Sequence, residues 1–358
     1  MPGLVSGIHV DPRDKPGGDG RKEQPLLKLG YKASAEQFGP RELLDFSCLA
    51  EEVGFDSVFV SDHFQPWKHT DGHAPNSLAW LGALGARTRR VTIGTSVATP
   101  TFRYHPSIVA QAFGTLGAMF PGRVVLGLGT GESLNEVPAT GMEWPGAKER
   151  RDRLREAVRL INKLWTEDRV TFEGQFYRTA NATIYDKPDQ KVPIWIAASG
   201  PLAAQMAGQI AEGFICTSGK NPQLYTDLSG KVDEGLARAG RSDADLERMI
   251  EVKVSFDTDA QQAKELTRHW AALALTPEEK VSVEDPIEME RLADALPLDR
   301  AASRWIVSAD PEEQLAKIRP YVELGFTHLV FHAPGPDQSR FLKLYAEQVL
   351  PLLRSKLG

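Results

Sequence analysis

The chain contains eight short runs rich in Val, Ile and Phe, and the segments between them have helical periodicity. The runs are LLKLGYKA (26–33), FDSVFVSD (55–62), RVTIGTSV (90–97), RVVLGLGT (123–130), PIWIAAS (193–199), EGFICTS (212–218), MIEVKVSF (249–256) and HLVFHAP (328–334). Near-continuous apolar runs are typical of parallel strands that are buried on both faces. Eight strand–helix units in one chain of 358 residues therefore predict an α/β fold, a (β/α)8 TIM barrel that occupies residues 26–358 as one domain.

Helical spacing supports this prediction, and two departures from the minimal unit add to it. In RLREAVRLINKLW, the residues Leu154, Val158, Ile161 and Trp165 fall on one side of a helix. After the fourth strand, VTFEGQFYRTANATIYDKP (170–188) resembles an extra hairpin. After the seventh strand, about seventy residues with several helical patterns precede the eighth. Insertions of this kind usually form lids or substrate pockets, so we expect both near the site.

Residues 1–25 carry Pro, Gly and charge without periodicity. They lack the apolar core of a signal peptide, so they are interpreted as a disordered N-terminal extension or as the result of a start codon assigned too far upstream. Cys48 and Cys216 lie in apolar stretches and are interpreted as core thiols of a protein in the reducing cytoplasm.

Charge and hydropathy exclude two classes of partner. The net charge is −6 and no basic stripe is present, which argues against nucleic-acid binding. No apolar run approaches the roughly 18 residues that cross a membrane.

Polar residues follow most of the predicted strands. They are Glu36 after the first, Asp62 and His63 after the second, Ser96, Val97 and Thr99 after the third, Thr130, Gly131 and Glu132 after the fourth, Ser199 and Gly200 after the fifth, Thr217 and Lys220 after the sixth, and His332 after the eighth. In a barrel of this type all of them would converge on one rim, where such folds carry out chemistry. Ser199, Thr217 and Asp62 could instead each cap a helix.

Two motifs need separate interpretation. GLGTGESLNE (127–136) has Glu132 where the dinucleotide fingerprint has its third glycine, so a Rossmann fold is disfavoured. Its glycines instead suggest that a ligand approaches the backbone closely. His63, His69 and His73 are spaced around Pro66 and Gly72, which would not place them on one helical face, so no metal site is predicted. His69 and His73 are interpreted as solvated loop histidines.

Several stretches resemble the coenzyme F420-dependent glucose-6-phosphate dehydrogenases, a branch of the bacterial luciferase-like barrels. The matching stretches are LKLGYKASAEQF, VSDHFQPW, GTSVATPTFRY, LGLGTGESLNE, FICTSGK, DPIEMERLADALP, RWIVSADP and HLVFHAPG. The resemblance extends over about residues 26–356, and these stretches are spread along nearly the whole barrel. The resemblance implies oxidation of a sugar 6-phosphate to its 6-phospholactone, with hydride passing from the anomeric carbon to C5 of F420, an 8-hydroxy-5-deazaflavin, and without a metal.

The resemblance also implies roles for individual residues. His63 would remove the proton of the anomeric hydroxyl, a task that suits a neutral imidazole near pH 7. Glu132 would be the proton partner of the deazaflavin. Which of His63 and Glu132 donates a proton and which accepts one in a given direction stays open. Trp67 and Glu36 would border the reacting carbons.

The ligand contacts implied by the same resemblance form two sets. The cofactor set is Asp62, Ser96, Val97, Thr99, Thr130, Gly131, Asn135, Ser199, Gly200, Leu202 and Ala203. The family builds a non-proline cis peptide at the position of Ser96 and Val97. The phosphate set is Thr217, Lys220, Lys280 and Arg304, although on the sequence alone Lys280 would be interpreted as a solvated helix charge.

The chain departs from the family at two points. Ser199–Gly200 replaces a frequent Gly-Gly, and Val281 replaces a histidine that follows the phosphate lysine, so the preferred hexose 6-phosphate stays open. Two alternatives remain: a flavin mononucleotide-dependent monooxygenase on the same fold, and a barrel that binds a flavin or deazaflavin without catalysis. Related barrels usually pair, so a homodimer is expected.

Overall fold

A computed structural model describes residues 26–280 and 283–358. Eight parallel strands form its centre: β1 (Lys28–Ala33), β2 (Ser57–Val60), β3 (Thr92–Thr95), β4 (Val124–Leu128), β7 (Ile194–Ala197), β8 (Gly213–Thr217), β9 (Glu247–Phe256) and β11 (His328–His332). They pair in this order, and the sheet closes because β9 pairs with both β8 and β11. The predicted TIM barrel is confirmed, and its eight strands are the eight apolar runs of the sequence.

The helices cover the outside of the barrel. They are α1 (Pro40–Glu52), α2 (Ser77–Arg87), α3 (Pro106–Met119), α4 (Ser133–Thr140), α5 (Ala147–Thr166), α6 (Pro201–Ile210), α7 (Pro222–Arg238), α8 (Ala260–Leu266), α9 (Pro277–Lys280), α10 (Pro286–Asp294), α11 (Leu298–Ala302), α12 (Pro311–Glu323), α13 (Gln338–Gln348) and α14 (Leu350–Leu357). Many begin with proline, which costs nothing where the first amide has no helical partner. The four predicted apolar residues of α5 are buried against the core, as expected.

Further elements lie between the barrel strands. Two antiparallel strands, β5 (Val170–Glu173) and β6 (Arg178–Ala182), form a hairpin between β4 and β7. Between β9 and β11 the chain forms α8, a 3-10 segment (Thr267–Ala274), α9, α10, α11 and the short strand β10 (Ile306–Ser308). A separate apolar cluster joins the 3-10 segment, α10 and α11, and Trp67 packs against it. This region therefore sits beside the mouth of the barrel.

Side chains that point into the barrel are arranged in layers, because strand residues two apart face the same side. The middle layer is apolar and consists of Phe59, Val125, Trp195, Ile215, Met249 and Val330. Two residues further along three of the strands, the same inward face carries Ser61, Glu251 and His332. The apolar layer thus forms a floor, and polar side chains stand on it toward the carboxyl ends of the strands.

The structure agrees with the prediction for one of the two cysteines. Cys216 is buried, but Cys48 is only half-buried because it lies on the outer part of α1, so the interpretation of Cys48 as a core thiol is wrong. The predicted N-terminal extension lies outside the described residues. In residues 26–280 and 283–358, no helix is long and apolar enough to cross a membrane.

Candidate active site

A cavity of about 690 Å³ opens at the carboxyl ends of the barrel strands. Its lining includes most of the residues proposed from the sequence: Glu36, Asp62, His63, Trp67, Ser96, Val97, Thr99, Thr130, Gly131, Glu132, Asn135, Ser199, Thr217, Lys220, Lys280 and Arg304. The exceptions are Gly200, Leu202 and Ala203, which lie at the start of α6 and do not line it. One cavity thus brings together the proposed catalytic residues, most of the proposed cofactor residues and the proposed phosphate residues, which are far apart in sequence.

His63 lies between two carboxylates. Its Nδ1 is 3.1 Å from Oε1 of Glu36, and its Nε2 is 4.0 Å from Oε2 of Glu132. Glu36 is buried and its other oxygen accepts a hydrogen bond of 2.7 Å from Ser61. Burial alone would raise the pKa of Glu36, but the charges of His63 and Lys32 and the Ser61 hydroxyl outweigh it and lower the pKa. Glu36 is therefore an anion at neutral pH that faces one edge of the imidazole.

The Asp62 carboxylate has several partners within the protein. Arg103 donates to it at 2.9 Å and also to Glu136 at 3.1 Å, and Ser77 donates to it at 2.8 Å. The side chains of all three charged residues are almost fully buried. The Asp62 carboxylate therefore anchors the loop that carries His63.

Asn135 supports the same loop from α4. Its side-chain oxygen accepts from the backbone amides of Phe64 and Gln65 at 2.8 and 3.1 Å. Asn135 lines the cavity, so it holds the segment after His63 in place from the same side as Glu132.

One wall of the cavity is apolar and includes Val97, Ala197 and Ile215. The Ser96–Val97 peptide bond is cis, which confirms the prediction made for this position. Gly129 lets Val97 approach, because a Cβ on Gly129 would lie 2.6 Å from the Val97 side chain. Gly131 has a φ of 81°, which glycine adopts without strain. This wall offers a flat apolar surface beside the backbone of the glycine motif.

A further part of the cavity lining gathers positive charge. Lys220, Lys280 and Arg304 line it together with Thr217. Burial lowers the pKa of Lys220, and the charge of Arg304 acts in the same direction; the pKa of Lys280 is also lowered by burial. The Lys280 ammonium lies 4.7 Å from the ring centroid of Trp67, so it is no solvated helix charge. Mutually repelling cations in one pocket favour the binding of an anion.

Sequence analysis placed His332 at the rim without a role, and it did not single out the inward-facing Lys32, Ser61, Glu251 and Lys253, which also line the cavity. The Lys32 ammonium donates to the Ser96 carbonyl at 2.5 Å and lies 3.1 Å from Glu251. Glu251 in turn lies 3.4 Å from the Lys253 ammonium. Charges at alternate positions of MIEVKVSF were the available sequence signal, because a buried strand has no other reason to carry them.

The structure bears on the interpretation of the loop histidines and on the helix-cap alternative. His69 and His73 are exposed, as expected, and no group of potential metal ligands occurs within the described ranges 26–280 and 283–358. The helix-cap alternative for Asp62, Ser199 and Thr217 is wrong. The N-caps of the helices that follow them are Asn76, Gly200 and Asn221. The substitution at Val281 lies outside the described residues.

The family model for luciferase-like monooxygenases matches residues 25–328. The F420-dependent glucose-6-phosphate dehydrogenase of Nakamurella multipartita is 64% identical over 335 residues, which are 93% of this chain and 98% of that protein. The protein of the same name from Microbacterium testaceum is 64% identical over 333 residues, 93% of this chain and 99% of that one.

A solved structure shows the same architecture. An F420-dependent secondary alcohol dehydrogenase in complex with an F420-acetone adduct superposes with a TM-score of 0.85 at 35% identity, covering 90% of this chain and 98% of that chain. A coenzyme F420-dependent tetrahydromethanopterin reductase from Methanopyrus kandleri shares the fold, with a TM-score of 0.76 at 21% identity over 91% of this chain and 99% of that chain.

Proposed function

The chain belongs to the luciferase-like monooxygenase family, and we propose that within this family it is an F420-dependent glucose-6-phosphate dehydrogenase. Relatives of that name align with more than nine-tenths of the chain at 64% identity. The observation that carries the proposal is the cavity itself, which places His63 and Glu132 together with a threonine and three cations. A phosphorylated substrate requires such cations, whereas an uncharged one does not.

The cavity fits a flat cofactor along its apolar wall. Val97, Ala197 and Ile215 provide the surface, and Gly129 and Gly131 line the cavity beside it without side chains. The residues that would hold F420 there are Asp62, Ser96, Val97, Thr99, Thr130, Gly131, Asn135 and Ser199, with Gly200, Leu202 and Ala203 at the start of α6 for its outer part. F420, when bound, supplies the acceptor for the hydride of the sugar.

His63 is the proposed general base. Because the anionic Glu36 faces Nδ1, it favours the tautomer in which Nδ1 carries the proton and Nε2 is free to accept one. Nε2 points toward the side of Glu132 and the cavity. There it would take the proton of the anomeric hydroxyl, so that the substrate becomes the 6-phospholactone. Glu132 would exchange the second proton of the reaction with the cofactor.

The remaining site residues bind and orient. Thr217, Lys220, Lys280 and Arg304 would hold the phosphate dianion, and Trp67 would close the cavity between Lys280 and His63, whose ring lies 6.3 Å from its own. Excluding water there strengthens each of these electrostatic contacts. The alternatives are less well supported, because neither an aldehyde-oxidising monooxygenase nor a silent barrel needs both the cation cluster and two titratable groups.

The direct test is to incubate the purified protein with oxidised F420 and glucose 6-phosphate. Loss of the cofactor absorbance, together with 6-phosphogluconate as the hydrolysed product in the mass spectrum, would support the proposal. Oxygen consumption with reduced flavin mononucleotide and no F420 reduction would instead support the monooxygenase alternative. A homodimer and a cytoplasmic location stay predictions, and sedimentation velocity tests the first.

A further inference from the structure

His332 is a buried histidine of the cavity to which no role has been given. It ends β11 and is 2% exposed, and it contributes to the cavity lining. Within residues 26–280 and 283–358, neither ring nitrogen has a hydrogen-bond partner, and Oε1 of Glu251 lies 3.6 Å from Nδ1, just beyond hydrogen-bond distance. A buried polar group without a partner costs free energy unless something else supplies the hydrogen bond.

The ring of His332 is held in a fixed orientation by aromatic neighbours. Trp270 lies edge-on at 4.6 Å between ring centroids, and Trp305 at 5.0 Å. The indole nitrogen of Trp270 donates to Gln37, so this tryptophan cannot serve the imidazole. A rigid imidazole with free nitrogens in a cavity wall is suited to contact a ligand.

Lys253 stands beside it on the neighbouring strand. Its side chain is 4% exposed and lines the cavity. In the part of the chain that the structure describes, its ammonium has a single hydrogen-bond acceptor, Glu251 at 3.4 Å. Glu251 also faces Lys32 and His332, so it links these groups. Together they offer a donor, an acceptor and an imidazole that can do either, which is the combination a sugar hydroxyl requires.

Their place in the cavity matches the middle of a hexose phosphate. On one side is the catalytic histidine, because Glu36 faces His63. Lys32 lowers the pKa of both Glu36 and Glu251 and so lies near both carboxylates. On the other side, Lys253 is within the electrostatic range of Arg304 and Lys220 of the phosphate pocket. A sugar with its anomeric carbon at His63 and its phosphate at those cations has its ring hydroxyls between them.

From this arrangement we infer that His332, Lys253 and Glu251 form a subsite that recognises the ring hydroxyls of the hexose 6-phosphate and so decides which hexose is accepted. The inference rests on the proposed function and adds the discriminating contacts to it. His332 and Lys253 donate to hydroxyl oxygens, and Glu251 accepts from a hydroxyl and keeps both side chains in place.

The test pairs variants with substrates that lack one hydroxyl. In the native protein, 2-deoxy, 3-deoxy or 4-deoxy glucose 6-phosphate should lower kcat/KM about tenfold for at least one analogue, because a buried partner loses its hydrogen bond. His332→Phe keeps the aromatic packing but has no ring nitrogen. It should abolish that penalty, so that glucose 6-phosphate and the deoxy analogue react equally.

Lys253→Met is the second variant, since it keeps the aliphatic stem and removes the ammonium. It should remove the penalty for a different hydroxyl, and it carries the inference if His332→Phe does not fold. Trp305→Phe is the matched control, because it disturbs the packing around His332 but leaves both nitrogens of the His332 ring in place. It should retain every deoxy penalty of the native protein.

Two further measurements separate this inference from the proposed function. F420 affinity by absorbance titration should stay within about twofold of native in both variants, and inhibition by inorganic phosphate should do so in His332→Phe, which keeps every cation of the cavity. If these values are normal but all deoxy penalties persist in both variants, or if the native protein shows none, the subsite is wrong and the dehydrogenase remains. If no sugar phosphate reduces F420, both fail.

Discussion

His63 shows how one side chain acquires a role from its neighbours. The buried Glu36 faces Nδ1 and Glu132 lies on the side of Nε2. No single residue in SDHFQPW specifies this, because Glu36 comes from the loop after another strand. The role of His63 therefore depends on the barrel that brings β1, β2 and β4 together.

We expect His63→Asn to lower kcat by about 10²–10⁴, which is the usual contribution of a general base. F420 affinity should change little, because His63 is not among the residues proposed to hold the cofactor, and Asp62 and Asn135 still anchor the loop around position 63. Stopped-flow measurement of F420 reduction and an absorbance titration check the two expectations. His69→Asn is the matched control, since His69 is exposed on the same loop. A native rate in His63→Asn would contradict the assignment.

Lys280→Ala should raise the KM for glucose 6-phosphate by about 10–100-fold, since a charged hydrogen bond to the phosphate is lost. The Kd of F420 should stay unchanged. Steady-state kinetics and an F420 titration measure both values. Lys317→Ala provides the control, because Lys317 is a surface residue that pairs with Glu313. An equal loss for the sugar and the cofactor would count against a phosphate role.

At the residue scale the sequence identified the residues on loops better than those on strands. His63, Glu132 and Lys220 follow strands, so their position alone marks them. Glu251 and Lys253 lie within β9 and His332 ends β11, and their direction depends on which face of each strand points inward. The use of Asp62 could not be predicted, because its partner Arg103 lies 41 residues further along the chain.

The hairpin of β5 and β6 depends on one carboxylate at the scale of the element. Glu156 of α5 accepts from the amides of Gln175, Phe176 and Tyr177 at 2.9, 2.8 and 2.7 Å. Gly174 makes room for it, because a Cβ there would lie 2.1 Å from Oε1 of Glu156. Three amides of the turn thus have a single buried acceptor, which ties the hairpin to the barrel.

We expect Glu156→Ala to lower the free energy of unfolding by about 2–4 kcal/mol, because three amides lose a charged acceptor. Cleavage by protease should increase in residues 174–177. Urea denaturation and mass spectrometry of limited digests measure the two effects. Glu149→Ala is the control on the same helix, since Glu149 makes only a half-exposed i,i+4 pair with Arg153. Equal stabilities of the two variants would contradict the role of Glu156.

The number and order of the strands were predictable at this scale because parallel strands buried on both faces have a plain apolar signature. The helix ends were predictable where proline or a capping side chain marks them, as at Asn76 and Asn221. The hairpin was suggested by its composition, but its attachment was not, because Glu156 lies in a helix whose pattern indicates only packing.

Charge is distributed unevenly over the whole molecule. The chain carries a net charge of −6, yet Lys32, Lys220, Lys253, Lys280 and Arg304 all line the one cavity. Composition alone could not reveal this, because the cations come from strands and loops across the entire chain. The same lining also carries carboxylates, namely Glu36, Asp62, Glu132, Glu136 and Glu251. Binding of a dianion therefore depends on the cations that it reaches and on the protonation of those lysines.

Lys253 makes that dependence measurable. Burial lowers its pKa to about 8, with Glu251 acting in the opposite direction and the charges of Arg304 and Lys220 in the same one. Below that pH the ammonium is charged before and after a dianion binds, so affinity does not vary through this group. Above it, binding must first restore the proton, and the Kd should rise by up to about tenfold per pH unit.

We therefore expect the Kd of glucose 6-phosphate, measured by calorimetry with F420-loaded protein, to be flat from pH 7 to 8 and to rise between about pH 8 and 9.5. The phosphate stays a dianion throughout, since its second pKa is about 6. Lys253→Met should bind glucose 6-phosphate more weakly at pH 7. The increase of its Kd with pH should be smaller, because only the deprotonation of Lys220 and Lys280 then contributes. An unchanged pH profile in this variant would show that Lys253 does not couple to the phosphate.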